Sequence, residues 1–297
     1  MTGAGVSAGG RVVVGVDGSE PSVQAALYAA EAARRRGVGL LVVHVTPWQG
    51  FDDALPMAGR EVKARFEESA TLLVEAAADT VRQETGSGDV TAAVVDDHPV
   101  DGLLALSADA ALVVIGRRGL GGLPGLLLGS TAGAVAQHAR CPVIALPEEW
   151  DETAARTRPV VVGIEGGSGD DEVLAFAVAE AASRATGLEA VHAWRDPSLE
   201  AALGGFGPFV DWSVVEEDER GKLSRAVAGW RDREPGVPIT ETVVRDRAAA
   251  ALLDASAGAE LLVVGHRHRG RFGRVGSTTY GLLHRAACPV AVVPLER

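Results

Sequence analysis

The chain has almost no lysine: of its 297 residues only Lys63 and Lys222 carry an ammonium side chain. Phosphate chemistry that depends on a positioned lysine therefore has few candidates, and no G-x-x-x-x-G-K-[ST] string occurs. Cysteine is as scarce. Cys141 and Cys288 are too few for a disulfide framework and lie in no C-x-x-C pattern, which points to a reducing compartment. No apolar run reaches the roughly 18 residues of a spanning helix, because Asp101 or Asp109 interrupts the best stretches. Residues 1–10 are small and read as flexible, without the basic start and apolar centre of a signal peptide. A basic excess is missing too. The net charge is −12, with 11 basic against 18 acidic residues up to Trp150 and 17 against 22 after it, which disfavours nucleic acid and membrane as partners. The expectation is a cytoplasmic protein.

Hydrophobic residues make up 47% and charged residues 23%, enough apolar surface for real cores, and the length favours two domains over one. Internal repeats decide the matter. Arg11-Val-Val-Val-Gly-Val-Asp17-Gly-Ser19 returns as Pro159-Val-Val-Val-Gly-Ile-Glu165-Gly-Gly-Ser168. Leu112-Val-Val-Ile-Gly116 returns as Leu261-Leu-Val-Val-Gly265, Gly129-Ser-Thr131 as Gly276-Ser-Thr278, and Cys141-Pro-Val143 as Cys288-Pro-Val290. These pairs lie 147 to 149 residues apart in the same order, so the chain is a tandem duplication with domains at 1–150 and 151–297. The two cysteines are one position seen twice.

Within the first repeat, short β-branched runs alternate with helical patterns. Strands are expected at 12–16, 40–45, 90–95, 112–115 and 142–145, and helices at 61–85, 99–107 and 131–139. A further helix starts at the Ser19 cap, with Pro21 in its first turn, and stops at Gly37 behind three arginines. Strict alternation implies an α/β fold in each half: five parallel strands with helices on both faces.

In open α/β sheets ligands bind beyond the carboxyl ends of the strands, where the strand order reverses. The first strand ends in Asp17, just before a capped helix. The fourth ends in a glycine-rich loop from Gly116 to Gly129 that runs into Ser130 and Thr131 at a helix start. Glycines let the backbone approach a ligand closely, and a helix N-terminus offers N–H groups to an anion, so the pattern reads as a phosphate cradle. The plainer reading is a flexible loop with helix caps. The Rossmann string G-x-G-x-x-G is not matched.

Gly116-x2-Gly119-x9-Gly129-Ser130 resembles the ATP-binding signature of universal stress proteins, G-2x-G-9x-G-(S/T), and Asp17-Gly-Ser19, Val42-Val43-His44-Val45 and Cys141-Pro-Val-Ile-Ala-Leu-Pro147 match that family as well. The resemblance covers nearly the whole chain as two tandem domains. It implies a Rossmann-like sheet of strand order 3-2-1-4-5 and bound ATP, with or without Mg2+. Val16, Asp17 and Val43 would hold the adenosine, and Gly116, Arg118, Gly119, Gly129, Ser130 and Thr131 the ribose and phosphates. It also implies pairing of the two domains through their fifth strands, with a homodimer as a further option.

The second repeat departs from this pattern. Glu165 replaces Asp17, and an extra glycine follows it. His268 replaces the second loop glycine, with seven residues instead of nine before Gly276. Glu165, Gly265, Gly276, Ser277 and Thr278 are therefore expected to form at most a weaker second site. Arg267, Arg269, Arg271 and Arg274 make this loop either an anion site or a solvated basic surface. His266 and His268 lack a third ligand nearby, and no metal is expected. Glu165-Gly-Gly-Ser-Gly-Asp170 also bears a faint likeness to the S-G-G-x-D-S loop of ATP pyrophosphatases, without its leading serine. Trp194, Phe206, Phe209 and Trp212 flank one long connection, either as a lid over a ligand or as packing between domains.

The expected function is that of a nucleotide-dependent regulatory or stress-response protein with ATP mainly in the first domain. The alternatives are a slow ATPase or ATP-dependent transferase, and an interaction protein that binds no nucleotide. No catalytic residue is assigned, since no carboxylate stands between Asp109 and Glu148 and no lysine lies in the loop.

Overall fold

Three consecutive β-branched residues, Val12, Val13 and Val14, are fully buried in the computed structural model of the chain. They form β1 (Val12–Gly15), covered on both faces, and each contributes on the order of 1.5–2 kcal/mol of burial. The structure describes residues 6–46, 59–119, 128–195, 212–267 and 276–295. Contacts divide the chain into two units, Met1–Trp150 and Asp151–Arg297.

In the first unit β1 leads into α1 (Glu20–Arg36). Ser19 is the N-cap, its Oγ accepting from the Ser22 N–H at 3.3 Å. Pro21 sits in the first turn, where a missing N–H costs nothing. Gly37 closes the helix at φ 66°, a left-handed conformation that glycine adopts without penalty. Then follow β2 (Leu40–Thr46), α2 (Gly59–Thr85), β3 (Val90–Asp96), α3 (Pro99–Leu106), β4 (Leu112–Gly116), α4 (Ser130–His138) and β5 (Val143–Leu146). All pairings are parallel, and β1 lies between β2 and β4, giving the order β3-β2-β1-β4-β5. Helices α1 and α2 pack on one face of the sheet, α3 and α4 on the other. The order reverses between β1 and β4, so their carboxyl ends diverge into loops on opposite faces and leave a crevice.

The second unit repeats this plan after the short α5 (Glu152–Ala155). Its elements are β6 (Val160–Gly163), α6 (Asp170–Arg184), β7 (Leu188–Ala193), α7 (Trp212–Arg233), β8 (Ile239–Val244), α8 (Ala248–Ser256), β9 (Leu261–Arg267), α9 (Ser277–Arg285) and β10 (Val290–Leu295). The order is β8-β7-β6-β9-β10, again all parallel. Both cysteines are buried, and neither is in a disulfide.

The sequence reading of residues 1–10 as flexible needs correction at Ser7, Ala8 and Gly9. The Asp109 carboxylate accepts from the Ser7 hydroxyl, from Gly9 N–H at 3.0 Å and from Ala8 N–H at 3.2 Å. Those bonds, the Ser7 one foremost, hold Asp109 below its usual range. Small residues bend readily around a carboxylate, which composition alone reads as freedom.

Candidate functional site

The crevice of the first unit is a cleft of about 420 Å3, within the usual range for small-molecule sites. Its polar end is built at Asp17, directly after β1. The Ser19 N–H and Oγ donate to Asp17 Oδ1 at 3.0 and 2.6 Å, and the Asp17 N–H reaches Ser22 Oγ at 3.3 Å. This turn is possible because Gly18 takes φ 88°. One carboxylate oxygen is thereby fixed by the chain itself.

The glycine-rich loop comes back over this carboxylate. A Cβ at Gly119 would stand 2.0 Å from Asp17 Oδ2, so any side chain there forces the loop and the aspartate apart. A Cβ at Gly116 would meet the Pro21 carbonyl at 3.3 Å. The loop is cinched by Gly129, whose N–H donates to the Arg117 carbonyl at 2.7 Å. Gly129 is then the N-cap of α4, and Ser130 and Thr131 are its first residues. The cap has no side-chain hydrogen bond and the first turn no acid, in contrast to α1 with Ser19 and Glu20. The amides and dipole of α4 thus face the cleft ready for an anion.

Arg118 lines the cleft, and its Nη1 donates to Glu148 Oε2 at 2.8 Å. Arg117 is buried, its N–H bonded to the Leu146 carbonyl at 2.8 Å. The opposite end is apolar, with Val16, Val43, Val45, Leu103 and Ile115. All nine residues read from the sequence as the first site line this one cleft. Sequence reasoning missed its apolar wall on α3, Pro99 and Leu103, and it missed His44, whose Nδ1 donates to the Val16 carbonyl at 2.7 Å. A period-two reading of β2 beside a histidine would have flagged His44; nothing local marks Leu103.

The second unit arranges its counterparts differently. Gly276 caps α9 without a side-chain bond, and Ser277 and Thr278 follow as in α4. Arg267 reaches toward Glu165 at 3.8 Å, and its Nη2 lies 2.9 Å from where a Cβ on Gly167 would be. Gly265 is closed in by Val173 and Leu295, which would stand 2.8 and 3.0 Å from an added Cβ. The amides after β6 are also taken. Asp170 accepts from Gly166 and Gly167 at 2.8 Å each and from Glu165 at 3.2 Å.

His192, the counterpart of His44, again turns Nδ1 to a strand-end carbonyl, that of Ile164, at 2.8 Å. Its Nε2 is 2.9 Å from Glu219 Oε2 of α7, and Lys222 holds the other oxygen at 2.9 Å. Burial alone would push the Glu219 carboxyl up; the bonds from Lys222 and His192 outweigh it and hold it below the usual range. Trp194 and Trp212 lie 6.2 Å apart, with the Arg245 guanidinium 3.7 Å from the Trp212 ring centre, so they pack around a cation of their own unit. Phe206 and Phe209 lie outside the described residues, as do His268, Arg269, Arg271 and Arg274 and loop residues 120–127.

Fold and cleft together define a tandem α/β protein with a crevice at the strand switch point of its first unit. The model of the universal stress protein family matches residues 10–147 and again 156–294, and the chain belongs to that family. It is 34% identical over 306 residues to the universal stress protein Rv1996 of Mycobacterium tuberculosis, covering 96% of this chain and 95% of that protein. It is 35% identical over 290 residues to Rv2005c of the same organism, covering 95% and 96%. The crystal structure of a universal stress protein from Archaeoglobus fulgidus matches the fold with a TM-score of 0.67 at 20% identity, over 96% of this chain and 98% of that one. Among the described residues no helix is long and apolar enough to cross a membrane.

Proposed function

We propose that the first unit binds ATP and that the protein works as a nucleotide-dependent regulator, with the second unit binding nucleotide weakly or not at all. The observation that carries this reading is the approach of Gly119 to Asp17, with no room for a side chain between them. A polar rim at Asp17 suits a ribose, the uncapped start of α4 with Arg118 suits phosphates, and the apolar wall suits a purine ring. Among the described residues Asp17 is the single carboxylate lining the cleft, and it already accepts two bonds from Ser19. A water-activating base for rapid phosphoryl transfer would have to come from it or from His44, so binding without fast turnover is the favoured mode.

The asymmetry rests on the second unit's own side chains. Arg267 on Glu165, Leu295 on Gly265 and Asp170 on the loop amides fill the positions that line the cleft in the first. The test is denaturing extraction of the purified protein, with identification and counting of the released nucleotide, followed by titration with ATP in the presence and absence of Mg2+. One ATP per chain is the expected result. Two would refute the asymmetry, and none, with no binding on titration, would refute the nucleotide reading in favour of an interaction role.

A further inference from the structure

The two units share a strand register that identifies counterparts residue by residue. Gly116 pairs with Leu146 and Gly265 with Val293. Two residues beyond each glycine stands an arginine, Arg118 in one unit and Arg267 in the other. Two residues beyond Leu146 stands Glu148, and two beyond Val293 stands Leu295. The arginine is kept while the residue two positions past its glycine's strand partner changes from a carboxylate to a leucine.

The arginines behave accordingly. Arg118 donates to Glu148 at 2.8 Å and pairs with no other carboxylate among the described residues. Arg267, with leucine in place of that partner, reaches to Glu165, the counterpart of Asp17, and lies against Gly167. Leu295 meanwhile packs against Gly169 and Gly265, where a carboxylate would be poorly solvated. A guanidinium on a long stem settles on whichever acceptor is in reach, and two residues past the matched strand positions the units offer Glu148 in one and Leu295 in the other.

We infer that Glu148 is a positioning residue for the nucleotide cleft: it holds Arg118 away from Asp17 in the ligand-free protein and yields it to the ligand's phosphates. The role for phosphates rests on the nucleotide reading above; the role in holding Arg118 off Asp17 does not. Glu148 and Arg118 are both partly exposed, with side chains 51% and 28% accessible, so their pair is weak. Arginine-to-phosphate bonds are charge-assisted, bidentate and stronger, so the exchange runs toward the ligand. Without Glu148 the cation closes across the polar end of the cleft, and a ligand must first displace it.

The experiment installs the second unit's residue in the first. In a crystal structure of ligand-free E148L, Arg118 is expected on Asp17, within an ion-pair distance of about 4 Å. Arg118 pointing away from Asp17 there would overturn the proposal, whether or not the wild type binds nucleotide. ATP affinity, by calorimetry, should fall about five- to tenfold in E148L and return to at least the wild-type level in E148Q, whose amide oxygen still accepts from arginine. In an R118A background the E148L change should alter affinity by less than about twofold, since the group it positions is gone. Equal losses in both backgrounds would reduce Glu148 to a structural residue and sink the inference. A wild type that binds no ATP defeats the nucleotide reading instead, and the ligand-free structure then decides the placement of Arg118 alone.

Discussion

His44 and His192 stand at the same place in the two units, each bonded through Nδ1 to the carbonyl that ends the first strand. In the first unit the other ring nitrogen has no protein partner among the described residues, and the ring borders the cleft. In the second it is held by Glu219, with Lys222 behind. The difference teaches how a duplicated fold can keep its strands while the groups at their ends find different partners: in the second unit His192, Glu165 and the loop amides after β6 each meet a side chain of their own unit.

The largest effect that would sharpen this contrast lies below the sites. The second unit buries an ionic cluster, Arg184 between Glu180 and Glu260, with side chains no more than 6% exposed. The first unit has Ala111 at the position of Glu260. Removing the shared cation from this buried cluster leaves two carboxylates uncompensated, so Arg184→Gln should cost the second unit about 3 kcal/mol. Hydrogen exchange read separately over the two units checks it, with the first unit unchanged. Equal loss of protection in both would mean that the units do not hold their stability separately.

Next in size is Gly119→Ala. The added methyl meets Asp17 Oδ2 at 2.0 Å, and relieving that clash costs about 2–3 kcal/mol of the bound arrangement, roughly a hundredfold in ATP affinity. Titration with ATP measures it. An unchanged affinity would show that the loop and Asp17 do not meet around the ligand, and the two clefts would then be less different than they look.

Ser19→Ala acts on the first unit alone. It removes the cap of α1 and a 2.6 Å bond to Asp17, for about 1 kcal/mol and a melting shift of about 3 °C in that unit. The second unit has glycine at the corresponding cap, with no side-chain bond to lose. A shift in the second unit's melting would contradict this assignment.

What the sequence made legible follows from range. Asp17, Gly119 and Gly129 sit in short motifs whose spacing is itself the signal, and the alternation of valine runs with capped helices carried the fold through both repeats. Leu103 was not legible, because it reaches the cleft only through the packing of α3 over β1. Glu219 was hidden for a similar reason: it lies 27 residues from His192, and only the fold brings them to 2.9 Å. Glu148 and Leu295 are legible in the repeat itself, each seven residues past its repeated cysteine. Ser7 to Gly9 misled because small residues signal both freedom and the tight wrapping of a carboxylate.

The smallest expected effect concerns the bond that separates the two histidines. Glu219 titrates in the folded second unit from below its usual 4.5, so the stability it contributes is complete above that value and fades as pH falls through the lowered one. Lys222, raised above 10.5 chiefly by its bond to Glu219 and next by Asp218, contributes below 10.5 and fades as pH rises through its raised value. His192, Lys222 and Asp218 are the charged or titratable groups that face this carboxylate or its partner. The stability difference between wild type and Glu219→Gln should therefore be flat from about pH 6 to 9 and shrink toward zero below about pH 4. Lys222 is 41% exposed, so the plateau stays under about 1 kcal/mol. Denaturant titrations of the second unit across this range measure it. A difference that failed to shrink below about pH 4 would mean that Glu219 is not held in its ionised form, and its ion pair with Lys222 would have to be abandoned.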